Sequence, residues 1–317
     1  MKQHHICIVG GSGFVGRHLA ARLARDGHQL RVLTRRRERH RDLLVLPTLE
    51  LLECNVHDEE ALRQAVKGCD VVINLVGILN ERGHNGRGFR RAHVELSEKL
   101  LSACKARGVT RLLHMSALGA DAQNGPSFYQ RSKGEAEQLV MASGLQVSCF
   151  RPSIIFGPDD AFFNRFAGLL RLTPLAFPLA GAHARFAPIH VGDVVEAFAR
   201  AIDNPASIGQ CYDLCGPKTY TLQELVQYTA KLCGLRRWVF PLPNWAAYLQ
   251  ARLLEFAPGK PFSRDNYNSL KRDNVCEGDF PALFGIQPVS IEAIVPGYLS
   301  PSQGRAEYQR LRRQAGR

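Results

Sequence analysis

HICIVGGSGFVG occupies residues 5–16 and joins an apolar run to a glycine-rich turn. The apolar run predicts a buried parallel strand, and Val15, Leu19 and Leu23 then recur at helical spacing. Between strand and helix the glycines match GxxGxxG, which lets a pyrophosphate approach the backbone at the N-terminus of a helix. A tight turn that binds no nucleotide is the alternative. In this context the motif predicts a dinucleotide site on Gly10, Ser12, Gly13, Phe14, Val15 and Gly16.

Apolar segments alternate with helical patterns through the first half of the chain. Further strands are predicted at residues 29–33, 49–53, 71–75, 111–115 and 146–151. Helices are predicted at 89–107 and 127–143. This alternation is typical of an α/β fold of the Rossmann type, in which a doubly wound parallel sheet carries helices on both faces.

Prolines become frequent after Arg151 and interrupt this alternation, so we expect a smaller, mainly helical C-terminal lobe. The segment 189–194 is expected to return to the sheet and to start a helix capped by Asp193, with His190 as a buried structural histidine. A further strand is predicted at 211–214, and a ligand would lie between the lobe and the carboxyl edge of the sheet. The predicted boundaries are 1–155 for the Rossmann domain, to which 187–215 returns, 156–186 and 216–300 for the lobe, and 301–317 for a basic tail.

The end of the second predicted strand distinguishes NAD from NADP. An acidic residue at this place would bind the ribose hydroxyls of NAD, whereas this chain has Thr34-Arg35-Arg36-Arg37. A guanidinium can bind a 2′-phosphate through two parallel hydrogen bonds. Arg35 and Arg36, joined by Arg17 just after the last glycine, therefore predict NADP(H) as the cofactor. Arginines that only cover a surface loop are the alternative.

Tyr129 and Lys133 stand four residues apart in a predicted helix, and hence on one face of it. An ammonium beside the phenol would lower the pKa of the tyrosine below its reference value of about 10 and prepare it for proton transfer to a carbonyl. Such a pair is weak by itself, but its place after the fifth strand and the following loop supports a catalytic interpretation.

Together with these motifs, several segments resemble the extended short-chain dehydrogenase/reductase family. They are Asn74-Leu75-Val76-Gly77, His114-Met115-Ser116, the run from Arg151 to Pro158, and His190-Val191-Gly192-Asp193. Residues 151–167, with Phe162-Phe163-Asn164-Arg165-Phe166, are similar to the atypical subgroup that contains the NADPH-binding accessory subunit of mitochondrial respiratory complex I. The resemblance implies further cofactor contacts at Asn55, Val56, Leu75, Val76, Gly77, Lys133, Pro152 and Ile154.

The catalytic positions of that family are only partly present. Tyr129 and Lys133 match, but Ala117 stands where active members carry Ser or Thr, and His93 stands where they carry Asn. Ser116 carries a hydroxyl one position before Ala117. The resemblance implies an NADP(H)-dependent oxidoreductase that acts on a small or lipophilic, quinone-related substrate. Its catalytic residues would be Tyr129, Lys133 and Ser116. The alternatives are a non-catalytic NADPH-binding accessory protein of a respiratory or quinone-synthesis complex and, third, a sugar-nucleotide epimerase or dehydratase.

Positive charge exceeds negative charge along the chain, with 41 Lys and Arg against 29 Asp and Glu and a formal net charge of +12. No segment has the roughly 20 consecutive apolar residues that a membrane-spanning helix needs. The arginine clusters lack the interleaved aromatic residues of nucleic-acid binding motifs. We therefore expect a cytoplasmic monomer or homodimer with no nucleic-acid partner, and peripheral contact with an anionic membrane or a membrane-bound complex is a hypothesis for the basic residues.

Residues 245–256 are apolar nearly all round a predicted helix. Core packing is the expected role, and contact with a membrane or partner is the alternative because basic residues flank the segment. Nine cysteines are scattered without a CxxC pair or a Cys/His cluster at zinc-ligand spacing. We expect these thiols to be reduced and mostly buried, and we expect no metal site.

Overall fold

A computed structural model describes residues 2–300, so the predicted basic tail lies outside the described residues. In chain order the strands are β1 (His5–Val9), β2 (Gln29–Thr34), β3 (Leu49–Glu53), β4 (Val71–Asn74), β5 (Arg111–Met115), β6 (Gln146–Pro152), β7 (Ile155–Phe156), β8 (Ala176–Leu179), β9 (Arg185–Phe186), β10 (Ile189–His190), β11 (Gln210–Leu214), β12 (Tyr220–Thr221) and β13 (Trp238–Pro241). The helices are α1 (Phe14–Arg25), α2 (Glu59–Ala65), α3 (Arg87–Arg90), α4 (Leu96–Arg107), α5 (Phe128–Met141), α6 (Phe163–Leu172), α7 (Val191–Ala201), α8 (Leu222–Leu232), α9 (Asn244–Leu254), α10 (Arg264–Ser269) and α11 (Ile291–Leu299). A π-helical turn, Arg91–Glu95, joins α3 to α4.

Seven strands form one sheet in the order β11-β6-β5-β4-β1-β2-β3, and every neighbouring pair is parallel. Strands β4 and β5 are buried along their whole length, as central strands of a parallel sheet covered on both faces are. Helix α1 packs beside α7, and α2 packs beside α4. The predicted doubly wound sheet of the Rossmann type is therefore confirmed. Its strand order reverses between β1 and β4, and ligands of open α/β sheets bind at the carboxyl ends of such strands.

The chain divides into two compact units. The first contains the seven-stranded sheet and consists of Met1–Pro152, Val191–Leu214 and Asp279–Gln287. Within the described residues, the second consists of Ser153–His190, Cys215–Gly278 and 288–300. Its core lies among α6, α8 and α11, and its strands form three ladders of two strands each. The predicted mainly helical character of the C-terminal region is confirmed. No helix in the described part of the chain combines the length and apolar character needed to cross a lipid bilayer.

Three local expectations are wrong. Residues 189–190 pair with β7 rather than with the main sheet, because helix α7 begins at Val191 and leaves only a two-residue strand. For the same reason Asp193 lies inside the first turn of α7 instead of capping it. Residues 245–256 do not pack as a core helix, because most of their large side chains are exposed.

One disulfide corrects the expectation of reduced thiols. Cys215 and Cys276, which are 61 residues apart in sequence, are bonded with their Cα atoms separated by 6.0 Å. The bond links the residue after β11 to the segment that follows α10, and both cysteines belong to the second unit. The other seven cysteines are free thiols, four of them buried. Because the pairing is created by tertiary structure, no local spacing in the sequence indicates it.

Candidate functional site

The glycine loop lies between the end of β1 and the start of α1. Gly10 has a φ of +82°, and a Cβ there would lie 3.1 Å from the backbone nitrogen of Val76. A Cβ at Gly16 would lie only 2.4 Å from the Cα of Gly11, so neither position accepts a larger residue without a shift of the backbone. No side chain in the described part of the chain caps the N-terminus of α1. Its first amides are therefore available to an anion, which fits a bound pyrophosphate.

Three arginines predicted to select the cofactor follow β2 or lie on α1. Arg35 and Arg36 come directly after β2, and both are exposed. Neither takes part in an ion pair within residues 2–300, whereas Nη1 of Arg17 lies 3.7 Å from Oδ2 of Asp42. The guanidinium groups of Arg35 and Arg36 are thus not neutralised by a carboxylate, and this fits recognition of a phosphate.

Lys133 connects the loop after β4 to the end of β5. Its side chain projects from α5 and is buried, and its Nζ donates to the carbonyl oxygens of Val76 at 3.2 Å and Met115 at 2.9 Å. Burial lowers the pKa of Lys133 to about 8. Because an ammonium has three N–H groups, the two backbone bonds leave one donor for a ligand.

Tyr129 lies one turn before Lys133 on α5, as the spacing predicted. Its ring is half-buried and packs edge-on against His93 and Phe89, with centroid distances of 5.7 and 6.1 Å. These contacts fix the plane of the phenol. The structure therefore holds the two predicted catalytic groups on one face of one helix.

His93, which stands where the resembled family carries Asn, makes hydrogen bonds through both ring nitrogens. Its Nε2 accepts from the backbone N–H of Ile78 at 3.2 Å, and its Nδ1 lies 2.8 Å from Oγ of Ser132. Burial, together with the nearby charge of Lys133, lowers the pKa of His93 to about 2. The imidazole is therefore neutral, carries its proton on Nδ1 and donates to Ser132. Both nitrogens are engaged, so His93 orders the loop after β4 and does not relay protons.

Two buried polar atoms at the end of β5 have no hydrogen-bond partner within the described residues. They are Oγ of Ser116 and Nε2 of His114. Burial lowers the pKa of His114 to about 3, so its ring is neutral, and its Nδ1 lies 3.3 Å from Nδ2 of Asn74. An unsatisfied buried polar group costs about 1–3 kcal/mol. Such atoms beside the carboxyl ends of parallel strands fit a site that receives a polar ligand.

Ser116 and Ala117 directly follow β5, and successive side chains of an extended segment alternate between its two faces. The backbone N–H groups of Ser116 and Leu118 donate to the carbonyls of Phe150 and Pro152, so the segment stays extended. Ala117 has no hydroxyl at the position where the resembled family carries Ser or Thr. For Ser116 to take over the predicted catalytic role, the backbone would have to shift.

The other predicted cofactor residues follow strands or belong to the second unit. Asn55 and Val56 follow β3, and Oδ1 of Asn55 accepts from the backbone N–H of His57 at 3.2 Å. Leu75, Val76 and Gly77 follow β4, and Pro152 ends β6. The parallel sheet brings the residues after β1 to β4 to one edge. Ile154 lies in the second unit, where its carbonyl accepts from the N–H of Ile189 at 2.8 Å.

The sequence profile of the NAD dependent epimerase/dehydratase family matches residues 6–215. The chain belongs to this family. Two relatives and one solved structure show its range. The chain is 30% identical over 292 residues to NADH dehydrogenase (ubiquinone) 1 alpha subcomplex subunit 9, mitochondrial, of Rattus norvegicus, covering 90% of this chain and 77% of that protein. It is also 30% identical over 243 residues to ceramide reductase of Caulobacter vibrioides, covering 75% of this chain and 74% of that protein.

Among solved structures, a nucleoside-diphosphate-sugar epimerase from Staphylococcus aureus is similar at a TM-score of 0.72 and 18% identity, covering 91% of this chain and 98% of that one. At 18% identity, this similarity shows only that the two chains share a fold. The resemblance to an extended short-chain dehydrogenase/reductase of the complex I accessory subgroup is confirmed by the family match and by the rat relative.

The structure also brings together three potential metal ligands that the sequence did not indicate. Glu137, Cys149 and Cys211 place one potential metal-ligand atom each within 4.8 Å of the others. However, Nε of Arg151 lies 2.9 Å from Oε2 of Glu137 and forms an ion pair with it. The guanidinium neutralises the carboxylate and repels a second cation. The cluster therefore favours a structural ion pair, and we assign no metal to it.

Proposed function

We propose that this protein is an NADP(H)-dependent oxidoreductase that reduces a carbonyl group of a lipophilic, quinone-related or other small substrate. The observation that carries this proposal is the pairing of Tyr129 with a buried lysine one turn away on α5. Lys133 is held by two backbone carbonyls and retains one N–H donor, so its charge has a fixed place beside the loop after β4. A phenol and an ammonium in this relation are suited to proton transfer.

The loops at the carboxyl edge would hold the cofactor. The amides of residues 10–16 would bind the pyrophosphate, and Arg35 and Arg36, with Arg17, would bind the 2′-phosphate. The loops after β3, β4 and β6 would contact the remainder through Asn55, Val56, Leu75, Val76, Gly77, Pro152 and Ile154. When bound, NADPH supplies the hydride that reduces the carbonyl carbon.

Tyr129 would give its phenolic proton to the carbonyl oxygen as the carbon accepts the hydride, so that an alcohol forms. The ammonium of Lys133 would donate its remaining N–H to a ribose hydroxyl of the cofactor and favour the phenolate left on Tyr129. His93 would keep the loop after β4 in place through its bond to Ile78. Solvent then returns a proton to the phenolate.

The substrate class draws support from the relatives. Ceramide, named for the Caulobacter reductase, is a lipid, and the rat relative is named for a ubiquinone-reducing enzyme. The protein would lie in the cytoplasm or at the inner face of an anionic membrane, where it would have access to a lipophilic substrate. A non-catalytic NADPH-binding role in a respiratory or quinone-synthesis complex is the second candidate, because Ala117 lacks a hydroxyl and both nitrogens of His93 are engaged.

A substrate screen tests the proposed reaction. Long-chain ketones, aldehydes, quinones and keto-sugars would each be mixed with protein and NADPH while the absorbance of NADPH is followed. We expect oxidation with at least one lipophilic carbonyl class. Turnover restricted to keto-sugars would favour an epimerase or dehydratase. A complete absence of turnover, with NADPH still raising the melting temperature through ligand linkage, would favour the non-catalytic role.

Cofactor choice gives a separate prediction. Calorimetry should show NADPH binding at least tenfold more tightly than NADH, a difference of about 1.4 kcal/mol, because Arg35 and Arg36 are exposed and not paired with carboxylates. Arg35→Asp should abolish the preference, since it replaces attraction for the 2′-phosphate by repulsion. Arg39→Asp makes the same change of charge on an exposed residue of the 3₁₀ helix Arg37–Val45, which follows Arg36, and should preserve the preference. Equal affinities of the unchanged protein for the two cofactors would contradict the assignment.

A further inference from the structure

Helix α9 and Phe256, two residues after its end, direct large apolar side chains outward. The side chains share one helical face, at spacings of three and four residues, and their exposed fractions range from 44% to 78%; they belong to Trp245, Tyr248, Leu249, Leu253 and Phe256. Monomeric proteins commonly expose single apolar residues, but a continuous row of this kind marks a binding surface.

The inward face of the same helix is made of small residues. Ala247 and Ala251 are buried and pack in a cluster with Ala180 and Tyr267. The helix is thus anchored by alanines, and its bulky side chains contribute little to the core beneath it. This is the reverse of the pattern of an ordinary surface helix, in which the large apolar residues face the core.

A second exposed apolar group lies in the same unit, at the end of α6, in the turn before β8 and at the start of β13. Leu172, Leu175 and Trp238 are each more than 70% exposed. The N–H of Trp238 donates to the carbonyl of Leu175 at 3.0 Å, which places these two residues side by side. Helix α9 lies beside β8, because Nε2 of Gln250 donates to the carbonyl of Pro178 at 3.1 Å.

Basic residues outnumber acids in the sequence segments that carry these side chains. Between residues 236 and 264 the sequence has five basic residues and a single acid, Glu255. That acid is buried and forms an ion pair with Arg264 at 3.0 Å, so it adds no negative charge to the outer face. Residues 161–192, which include β8, contain no Asp or Glu. Arg252 lies within the exposed row of α9 itself.

We propose that the outer face of α9, with Leu172, Leu175 and Trp238, inserts into the interfacial region of an anionic lipid bilayer. Aromatic side chains favour the boundary between headgroups and acyl chains, and arginine can extend from an apolar face to lipid phosphates. A second copy of this chain fits less well, because it would bring two positive surfaces together. The inference rests on the membrane contact included in the proposed function and identifies the residues that make it.

Tryptophan fluorescence reports directly on this surface. The chain contains two tryptophans, Trp238 and Trp245, and both belong to the proposed surface. Adding phosphatidylglycerol-containing vesicles at low salt should shift their emission to shorter wavelength, and brominated lipids should quench it. The shift should persist in Trp238→Phe, where Trp245 alone reports, and it should weaken as salt screens the attraction. Vesicles of pure phosphatidylcholine should give a smaller shift.

Two double variants distinguish lipid binding through this surface from nonspecific binding of apolar side chains to lipid. Leu249→Gln with Leu253→Gln should weaken partition into the anionic vesicles by about tenfold, because the double change removes apolar area from the inserted face. Leu44→Gln with Val45→Gln changes two exposed aliphatic residues of the first unit and should bind as the unchanged protein does. Unchanged melting temperatures and NADPH affinity would establish that both variants are folded.

Three outcomes would overturn the proposal. They are no spectral shift with anionic vesicles at low salt, equal partition of the α9 variant and the unchanged protein, and a shift that follows protein concentration without lipid. The last would assign the surface to a second copy of this chain. Vesicle binding needs neither NADPH nor turnover, so its failure would leave the proposed reductase activity intact.

Discussion

Tyr129→Phe is expected to lower kcat by about 10² to 10⁴ and to leave NADPH affinity unchanged. The phenolic hydroxyl is the proposed proton donor, so its loss removes a transition-state interaction. The ring remains, and with it the edge-on packing against His93 and Phe89. The prediction is checked by steady-state kinetics with a substrate from the screen and by calorimetry with NADPH.

The matched control for this change is Tyr212→Phe. Tyr212 lies on the edge strand β11 of the same unit, and its hydroxyl makes only a long bond of 3.3 Å to the carbonyl of Ala206. This control should change neither kcat nor cofactor affinity. A Tyr129→Phe protein with full activity would assign proton donation to another group, and the proposed mechanism would be wrong.

Lys133→Met is expected to lower NADPH affinity by about 10-fold to 100-fold and to reduce turnover as well. In the proposed site the ammonium would donate a charged hydrogen bond, worth about 1.5–3 kcal/mol, to a ribose hydroxyl. It also donates to the backbone carbonyls of Val76 and Met115. Lys105→Met changes an exposed lysine on α4 and should have no effect on either property. Unchanged NADPH affinity in Lys133→Met would remove the lysine from the cofactor site.

The same lysine gives NADPH binding a defined pH dependence. Burial holds the pKa of Lys133 at about 8, below its ordinary value of 10.5. In the proposed site the cofactor prefers the charged form, so affinity should fall as the pH rises through about 8. The Lys133→Met protein should lack this fall. A decline of equal size in the variant would assign the pH dependence to another group.

The parts of the site that the sequence predicted are those with local signals. The glycine loop combines a strand, a turn and a helix within twelve residues, and the Tyr129–Lys133 pair needs only one helical turn. Steric exclusion at Gly10 and Gly16 acts between residues that are close in sequence or on adjacent strands. Such constraints leave a readable pattern, and the sheet follows from the alternation of strands and helices.

The features that the sequence did not predict depend on contacts between residues that are distant in sequence. The bond between His93 and Ser132 spans 39 positions and the disulfide between Cys215 and Cys276 spans 61, so neither leaves a spacing motif. Helix α9 shows a different limit, because periodicity reveals which residues share a face but not which face meets the core. In α9 the alanines at 247 and 251 were sufficient for packing, and the large side chains remained exposed.

The most direct test of the proposed reaction uses NADPH that carries deuterium at the reactive carbon of its nicotinamide ring. Protein, labelled cofactor and a lipophilic ketone or quinone from the screen would be incubated, and the product would be analysed by mass spectrometry. For a ketone, we expect an alcohol that has gained one deuterium on the former carbonyl carbon, at a rate that Tyr129→Phe reduces strongly. Tight NADPH binding with no transfer of deuterium to any substrate of the screen would contradict it.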